Sequence, residues 1–508
     1  MERYAYYAFR SVLVSFFVDK LLMDESSAIS AFMYNSALAY FTPLIGGLLS
    51  DARLGKYTTI VVFSTVYIGG LTLLSFGAFA NQRSIAFFGL FCIGVGTGGI
   101  KPCVSSFGAD QLKYKSDTNG NISALPSSSA EDSMRKYFSA FYFAINVGAL
   151  ISYVFSPIVK HYMGYGLAFL LPALFMFSAL ATLIKNKATY AVIKPDTSAA
   201  NSPVLVIGRI LWHATSNLLS SLGAGGSGAS GGSSGSGGSF LDRATRNSSQ
   251  ITDKQVEDAK DFFRTFKFVL LMPLFWMLFD QQGSAWVLQA KRMKLPSWVE
   301  AEQLGVCNTA FVLVLLPIME NKVYPYLTSI NCKPTALRRM GVGMVFAGVS
   351  FIISAFVEVA ISEAGANTVS VGWQLPQYFI LTVGEIGLST TGLEFFYEEA
   401  PPSMKTASAS LFLLTTAVGD VMGGLLYDFA GAFGVSNAAL LFFCATLMFL
   451  AAVVFVSFAK NYSYRASMRK SDDDDDEGDV QMSLVGEDAN RLDLDMDMEQ
   501  VEIKEDIK

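Results

Sequence analysis

A helix crosses a bilayer core with about 20 mostly apolar residues. This 508-residue chain repeats such a run twelve times. The runs lie at roughly 3–22, 28–49, 57–80, 84–104, 137–158, 165–184, 265–287, 303–319, 340–360, 373–397, 406–427 and 437–458, each long enough to span. Composition agrees: 52% of residues are hydrophobic and 16% charged, against about 25% charged in soluble proteins. Mean hydropathy is +0.40. The runs are continuous, unlike the roughly ten-residue alternating segments of a transmembrane barrel. The expectation is an all-α polytopic membrane protein.

The net charge of −6 reflects the end of the chain, where DDDDDE (472–477) opens an acidic tail. Residues 461–508 read as a disordered cytosolic tail, and nothing in the charge pattern points to nucleic acid. Cysteines 92, 103, 307, 332 and 444 form no CxxC, so neither a disulfide framework nor a metal site is expected. No cofactor is expected either. His161 and His213 fall in a predicted loop and in the linker, which disfavours a histidine relay inside the membrane. The first apolar run begins with Glu2 and Arg3 and contains Arg10, a poor fit to a signal-peptide core. The chain reads as though it starts inside its first span.

The longest break between spans is 185–264. It contains GAGGSGASGGSSGSGGS (223–239), a flexible linker composition. This gives a six-span bundle over 1–190, a cytosolic linker over 191–264 and a second six-span bundle over 265–460. VLVIGRILWHATSNLL (204–219) and ITDKQVEDAKDFFRTF (251–266) are expected to form helices along the cytosolic face. Positive residues set the orientation. Arg53, Lys56, Lys113, Lys115, Arg135, Lys136, Lys185, Lys187, Lys322, Lys333, Arg338 and Arg339 follow even-numbered spans, so both termini are expected in the cytosol. Lys291, Arg292 and Lys294, after span seven, are the exception.

Two bundles joined by a linker predict a transporter with its site between the halves at mid-membrane. GGLLSDARLGKY (46–57) resembles the G-x-L-x-D-x-x-G-[RK] loop of the major facilitator superfamily. It also reads as a tight turn that needs glycine. A charge at membrane depth is costly, by about 2.5–3.5 kcal/mol on insertion scales. Arg10, Lys101, Asp280 and Glu394 lie in four separate spans, which predicts a solvated central pathway. Such charges suit a zwitterion. Arg and Lys grip a carboxylate, with help from tyrosine hydroxyls, and a carboxylate grips an amine. Arg3, Tyr6, Tyr7 and Arg10 can share one face of span one. Glu394 is the expected matching anion. Asn146 and Asn308 could bond an amine or a peptide carbonyl, or act as helix–helix glue.

ERYAYYAFR, GTGGIKPCVSSFGADQ, FYFAINVGALIS, FWMLFDQQGSAWVLQA, LLPIMENKVYPYL and WQLPQYFILTVGEIGLSTTGLEFFYEEAP resemble signatures of the proton-dependent oligopeptide transporter family, within the major facilitator fold. The resemblance covers about 1–190 and 260–460. It implies twelve spans in two six-helix bundles. It also implies that Glu2 and Arg3 are a proton-linked pair, and that Arg3 and Lys101 hold a peptide carboxylate beside Tyr6 and Tyr7. Tyr40 would line the pocket. Tyr142, Asn146, Asn308 and Glu394 would hold the amino end and first carbonyl. Lys101 and Glu394 would also meet as a gate, so Glu2, Arg3, Lys101 and Glu394 carry proton coupling. Asp280 and Glu320 are read as gating or ion-pair residues. Several positions depart from the pattern. The first Glu of E-x-x-E-R falls before Met1, span two lacks histidine, and Ala285 stands where animal members carry Arg. The partner position is kept as Glu320. The 361–372 loop is too short for the large extracellular domain of the intestinal type.

The implied function is proton-coupled symport of di- and tripeptides by alternating access, with no enzymatic chemistry. A proton gains about 2.3 kcal/mol per 100 mV and about 1.4 kcal/mol per pH unit, enough for roughly 500-fold accumulation of a neutral peptide at one proton each. The alternatives are the same fold carrying nitrate, histidine or another small solute, or a transport-inactive truncated member. The expected partners are small peptides and membrane lipid, with a functional monomer. The expected location is the plasma membrane, with endosomal, lysosomal or vacuolar membranes as alternatives. The sequons at Asn121, Asn247 and Asn461 all fall on the expected cytosolic side.

Overall fold

A computed structural model describes residues 1–116, 122–124, 127–193, 252–401 and 404–463, with isolated positions between 208 and 216. The Gly/Ser segment, Asn121, Asn247, His213, most of 204–219 and the tail beyond 463 lie outside the described residues.

In hydrocarbon the backbone must satisfy its own hydrogen bonds, which helices do within one segment. Twelve helical spans appear among the described residues. Span one is Glu2–Asp19. Span two, Glu25–Leu49, opens with the Asp24 side chain accepting from the Ser27 N–H at 2.9 Å. The turn after it is a π-helix, Ser50–Leu54, closed by Gly55 at φ +72°, a conformation that favours glycine. Spans three and four are Lys56–Ala80 and Arg83–Lys113. A small antiparallel hairpin follows, pairing Tyr114–Ser116 with Ile122–Ala124. Spans five and six run through Ser127–Lys185 and part at Gly164, φ +82°. His161 therefore lies in helix rather than loop.

The second half is more broken. Asp253–Arg264 forms a short helix opened by a Thr252/Gln255 capping box. Span seven comprises Phe266–Val269, Met272–Phe279, a 3-10 turn Asp280–Gly283, and Ala285–Lys291. It bends by 45° near its start, where Pro273 has no N–H to donate. Span eight is Ala301–Ser329, with a π turn at Met319–Val323. Span nine is Ala336–Ala364. Span ten is Val371–Glu399, with a π turn at Ile386–Thr390. Spans eleven and twelve are Lys405–Phe433 and Asn437–Lys460.

Met1–Ser457 form one compact unit. Within it spans three and four, one and five, and two and four pack together, as do nine and ten, and seven and eleven. Spans two and eleven, and five and eight, join the halves. The first of these contacts is close: a Cβ on Gly424 would meet the Tyr34 ring at 2.4 Å. Phe76, Phe88, Phe155, Phe177, Phe356 and Phe429 point outward, as a chain in an apolar solvent allows.

Charged contacts seal one end, where span one finishes. Lys291 donates to Asp19 at 2.6 Å. Lys160 reaches Glu300 at 3.0 Å and Glu302 at 2.8 Å. Arg292 lies 3.8 Å from Glu25 and 2.7 Å from Glu358, and Tyr34 donates to Asp428 at 2.6 Å. Of the exceptional cations after span seven, Lys291 and Arg292 are thus neutralised where they stand, by acids of both halves. At the opposite end, no ion pair between described residues joins the halves. Lys56–Asp110, Arg264–Glu399 and Arg339–Glu394 each stay within one half.

Because the Tyr34 ring leaves no room at Gly424, Gly424→Leu is expected to cost about 1–3 kcal/mol by overpacking. Thermal unfolding in detergent reads this directly, and an unchanged midpoint would show that spans two and eleven are not in close contact.

Candidate functional site

The middle of span one faces the middle of span seven. Arg10 donates to the Asp280 carboxylate at 2.7 Å and to the Tyr6 hydroxyl at 3.2 Å. Asp280 is 4% exposed, and the Phe32 ring caps the guanidinium at 5.0 Å. The 3-10 turn that starts at Asp280 puts this carboxylate at a break in its helix. Arg10, expected to bind substrate, is already committed to an acid of the other half.

Nearer the start of span one, Arg3 and Glu2 pair with each other at 2.5 Å. Lys101, on span four, has no carboxylate within ion-pair range among the described residues. Its ammonium lies 3.6 Å from the Tyr40 ring centre and 4.7 Å from that of Tyr6, and donates to the Ala39 carbonyl at 3.3 Å. Aromatic faces stabilise a cation there without neutralising it. Tyr7 contacts Tyr153 ring to ring at 6.0 Å. Tyr142 is 43% exposed, and Asn146 donates to its backbone carbonyl at 2.9 Å.

The acid facing this cluster from span ten is Glu385. Asn308 donates to it at 2.8 Å and to Thr382 at 3.1 Å. Glu394 does not meet Lys101. Its carboxylate is 56% exposed and lies 3.9 Å from Arg339. The helix explains the difference: Glu394 lies roughly two turns beyond Glu385, past the π turn at Ile386–Thr390. Glu320 is exposed in its π turn, with no cation in ion-pair range among the described residues. Ala285 borders Glu25, Arg292 and Glu358 near the sealed end, while Glu320 sits in the other half of the antiparallel span eight. An ion pair linking positions 285 and 320 has no place in this arrangement.

Cation, phenol, amide and carboxylate therefore converge from spans one, two, four, seven, eight and ten. A separate groove beside spans one, five and six, lined by Tyr4, Phe143, Val147, Ile151, Phe155 and Phe175, is apolar and offers no such chemistry. No group of three or more His, Cys, Asp or Glu residues is arranged for a metal among the described residues.

The sequence pattern of the POT family matches residues 57–441. The chain belongs to the POT family. Solute carrier family 15 member 2 of Danio rerio is 31% identical over 430 residues, covering 82% of this chain and 56% of that protein. Peptide transporter family 1 of Drosophila melanogaster is 34% identical, over 72% of this chain and 47% of that one. Protein NRT1/PTR FAMILY 8.5 of Arabidopsis thaliana is 30% identical, over 85% and 80%. The chain spans about half the length of the two animal proteins. An auto-inhibited POT family peptide transporter of known structure superposes with a TM-score of 0.77 at 29% identity, over 91% of this chain and 95% of that one. The POT family transporter PepTSo gives 0.77 at 28%. The chain thus has the major facilitator fold of the POT family transporters on which it superposes.

For this POT family member, sequence reasoning passed over Glu385 and chose Glu394. The missing signal was depth. Glu385 is the midpoint of the predicted run 373–397, whereas Glu394 lies within a turn of its end. It also passed over Asp420, fully buried on span eleven, and Glu358, buried on span nine.

Removing one partner of a buried ion pair costs about 3–5 kcal/mol. Arg10→Met and Asp280→Leu are each expected to destabilise by that order. The double variant should lose less than the sum, because neither charge is then left alone. Additive losses in detergent unfolding would mean the two side chains do not interact.

Proposed function

We propose that this chain is a proton-coupled symporter of di- and tripeptides working by alternating access. One observation carries the reading. Lys101, on the first half, and Glu385, on the second, both reach the central cluster, and neither is paired with an opposite charge among the described residues. A zwitterion would fill that gap. Its carboxylate goes to Lys101 and Arg3 beside Tyr6, Tyr7 and Tyr40, and its amino end to Glu385 and Asn308. Peptides of differing side chains share these termini, so recognition of the ends tolerates varied sequence. The name of the Drosophila relative, a peptide transporter, points the same way.

The coupling ion is H⁺. Glu385 and the Glu2–Arg3 pair are the carboxylates placed to take it up at the site, and no cofactor enters the cycle. The sealed end lies outside and both termini lie in the cytosol, so the state described is closed to the exterior. The chain works as a monomer surrounded by lipid, in the plasma membrane or in an endosomal, lysosomal or vacuolar membrane.

The test is uptake of a labelled dipeptide at pH 5.5 and 7.5, with and without a proton uncoupler. Uptake should be faster at pH 5.5 and abolished by the uncoupler. Glu385→Gln should lower it about tenfold or more, the loss expected when a charge-assisted hydrogen bond goes, while Glu394→Gln should keep it. Uptake of nitrate or histidine in place of the dipeptide would overturn the peptide assignment and leave the fold untouched.

A further inference from the structure

Asp420 has no role in the site just described, and its surroundings are unusual. It lies in TTAVGDVMGG (415–424) on span eleven, is 0% exposed, and neither of its oxygens accepts a hydrogen bond. An isolated carboxylate buried without a donor is among the costliest groups a protein can hold. Its backbone position is forced. A Cβ on Gly419 would sit 2.4 Å from the Pro273 carbonyl, and one on Gly423 would meet the Met33 side chain at 2.5 Å. Span eleven is therefore pressed against spans seven and two on both sides of Asp420, and its carboxyl comes to hydrogen-bonding range of Asp280.

Among the described residues, the charged groups that act on Asp420 are Asp280 from span seven, Arg10 from span one and Lys101 from span four. From spans one and two, Tyr6 and Tyr40 flank Asp280, and Glu385 approaches Asp280 from span ten. Arg10 is already engaged by Asp280 and Tyr6. Lys101 is held over two rings, outside ion-pair range of either acid. Two ionised carboxylates are both acceptors and cannot bond each other. Placed side by side, they repel each other when both are ionised.

We propose that Asp280 and Asp420 hold a single proton between them, making spans seven and eleven a proton site separate from Glu385. The proton joins one carboxyl oxygen as O–H and is donated to the other carboxylate, which leaves one negative charge against the one positive charge of Arg10. No other group is consumed. When that proton leaves, a second negative charge appears beside Arg10, so occupancy of the pair sets how strongly span one is held to the second half. This consequence rests on the proton-coupled reading. The shared proton itself does not.

The experiment is infrared spectroscopy of the purified full chain in detergent at neutral pH, following the C=O stretch of protonated carboxyl groups and its shift in D₂O. Asp420→Asn should lose the intensity of one such group relative to the parent. Asp280→Asn should lose the same component, which keeps the test open should one variant fail to fold. An unchanged band in a folded variant would overturn the proposal. Failure of dipeptide uptake would leave this band in place, so the two readings fail separately.

Discussion

The contact between Arg10 and Asp280 is the constraint around which the centre of the molecule is arranged. A guanidinium in mid-span has few tolerable environments, and this one is met by a carboxylate, a phenol and an aromatic face drawn from three spans. The partner acid belongs to the other half of the chain. The contact therefore does more than neutralise a charge: it sets span one against span seven at mid-depth. Each side chain beside it inherits a place. Tyr6 is fixed by its bond to Arg10, Lys101 lies across Tyr6 and Tyr40, and Asp420 comes to lie beside Asp280.

Helix irregularities sit where the chemistry does. Asp280 opens a 3-10 turn, and Glu385 directly precedes a π turn. A regular helix spends every carbonyl and N–H within itself. A local change of winding re-aims side chains and leaves backbone groups available, which a membrane tolerates only inside protein or around a water-filled cavity. Such breaks recur at functional positions in helices. The glycines of span eleven serve a different end, letting it approach spans two and seven closely enough to bury Asp420.

Most of the architecture was legible from apolar run length alone, because one physical rule governs it: a fixed bilayer thickness needs a fixed number of helical residues. Span number and the tight turn at Gly55 follow from local sequence. The site was only partly legible. Arg10, Lys101 and Asp280 announced themselves as charges in apolar runs, but run length says nothing about which face of a helix looks inward. That is why Glu394 was chosen over Glu385: both are acids of span ten, and only rotation and depth separate them. Partner choice was still less accessible. Arg10 fits a peptide carboxylate as well as it fits Asp280, and nothing local to span one distinguishes the two. Lys291 and Arg292, after span seven, likewise violate the charge rule until Asp19, Glu25 and Glu358 are seen beside them.

The strength of the sealed end matters for any cycle that must open it. Its contacts are Lys291–Asp19, Lys160–Glu300, Lys160–Glu302, Arg292–Glu25 and Tyr34–Asp428. Several of these groups are a quarter or more exposed, and such pairs contribute about 0–1 kcal/mol each. Lys160–Glu302 stands apart: its side chains are 11% and 1% exposed, as buried as those of Arg10 and Asp280. Under the proposed coupling, one proton moving down 100 mV and one pH unit releases about 2.3 plus about 1.4 kcal/mol. The solvated pairs can part within that supply. Leaving one partner of a buried pair alone costs about 3–5 kcal/mol, so opening this end requires Lys160 and Glu302 to meet water or new partners as they separate.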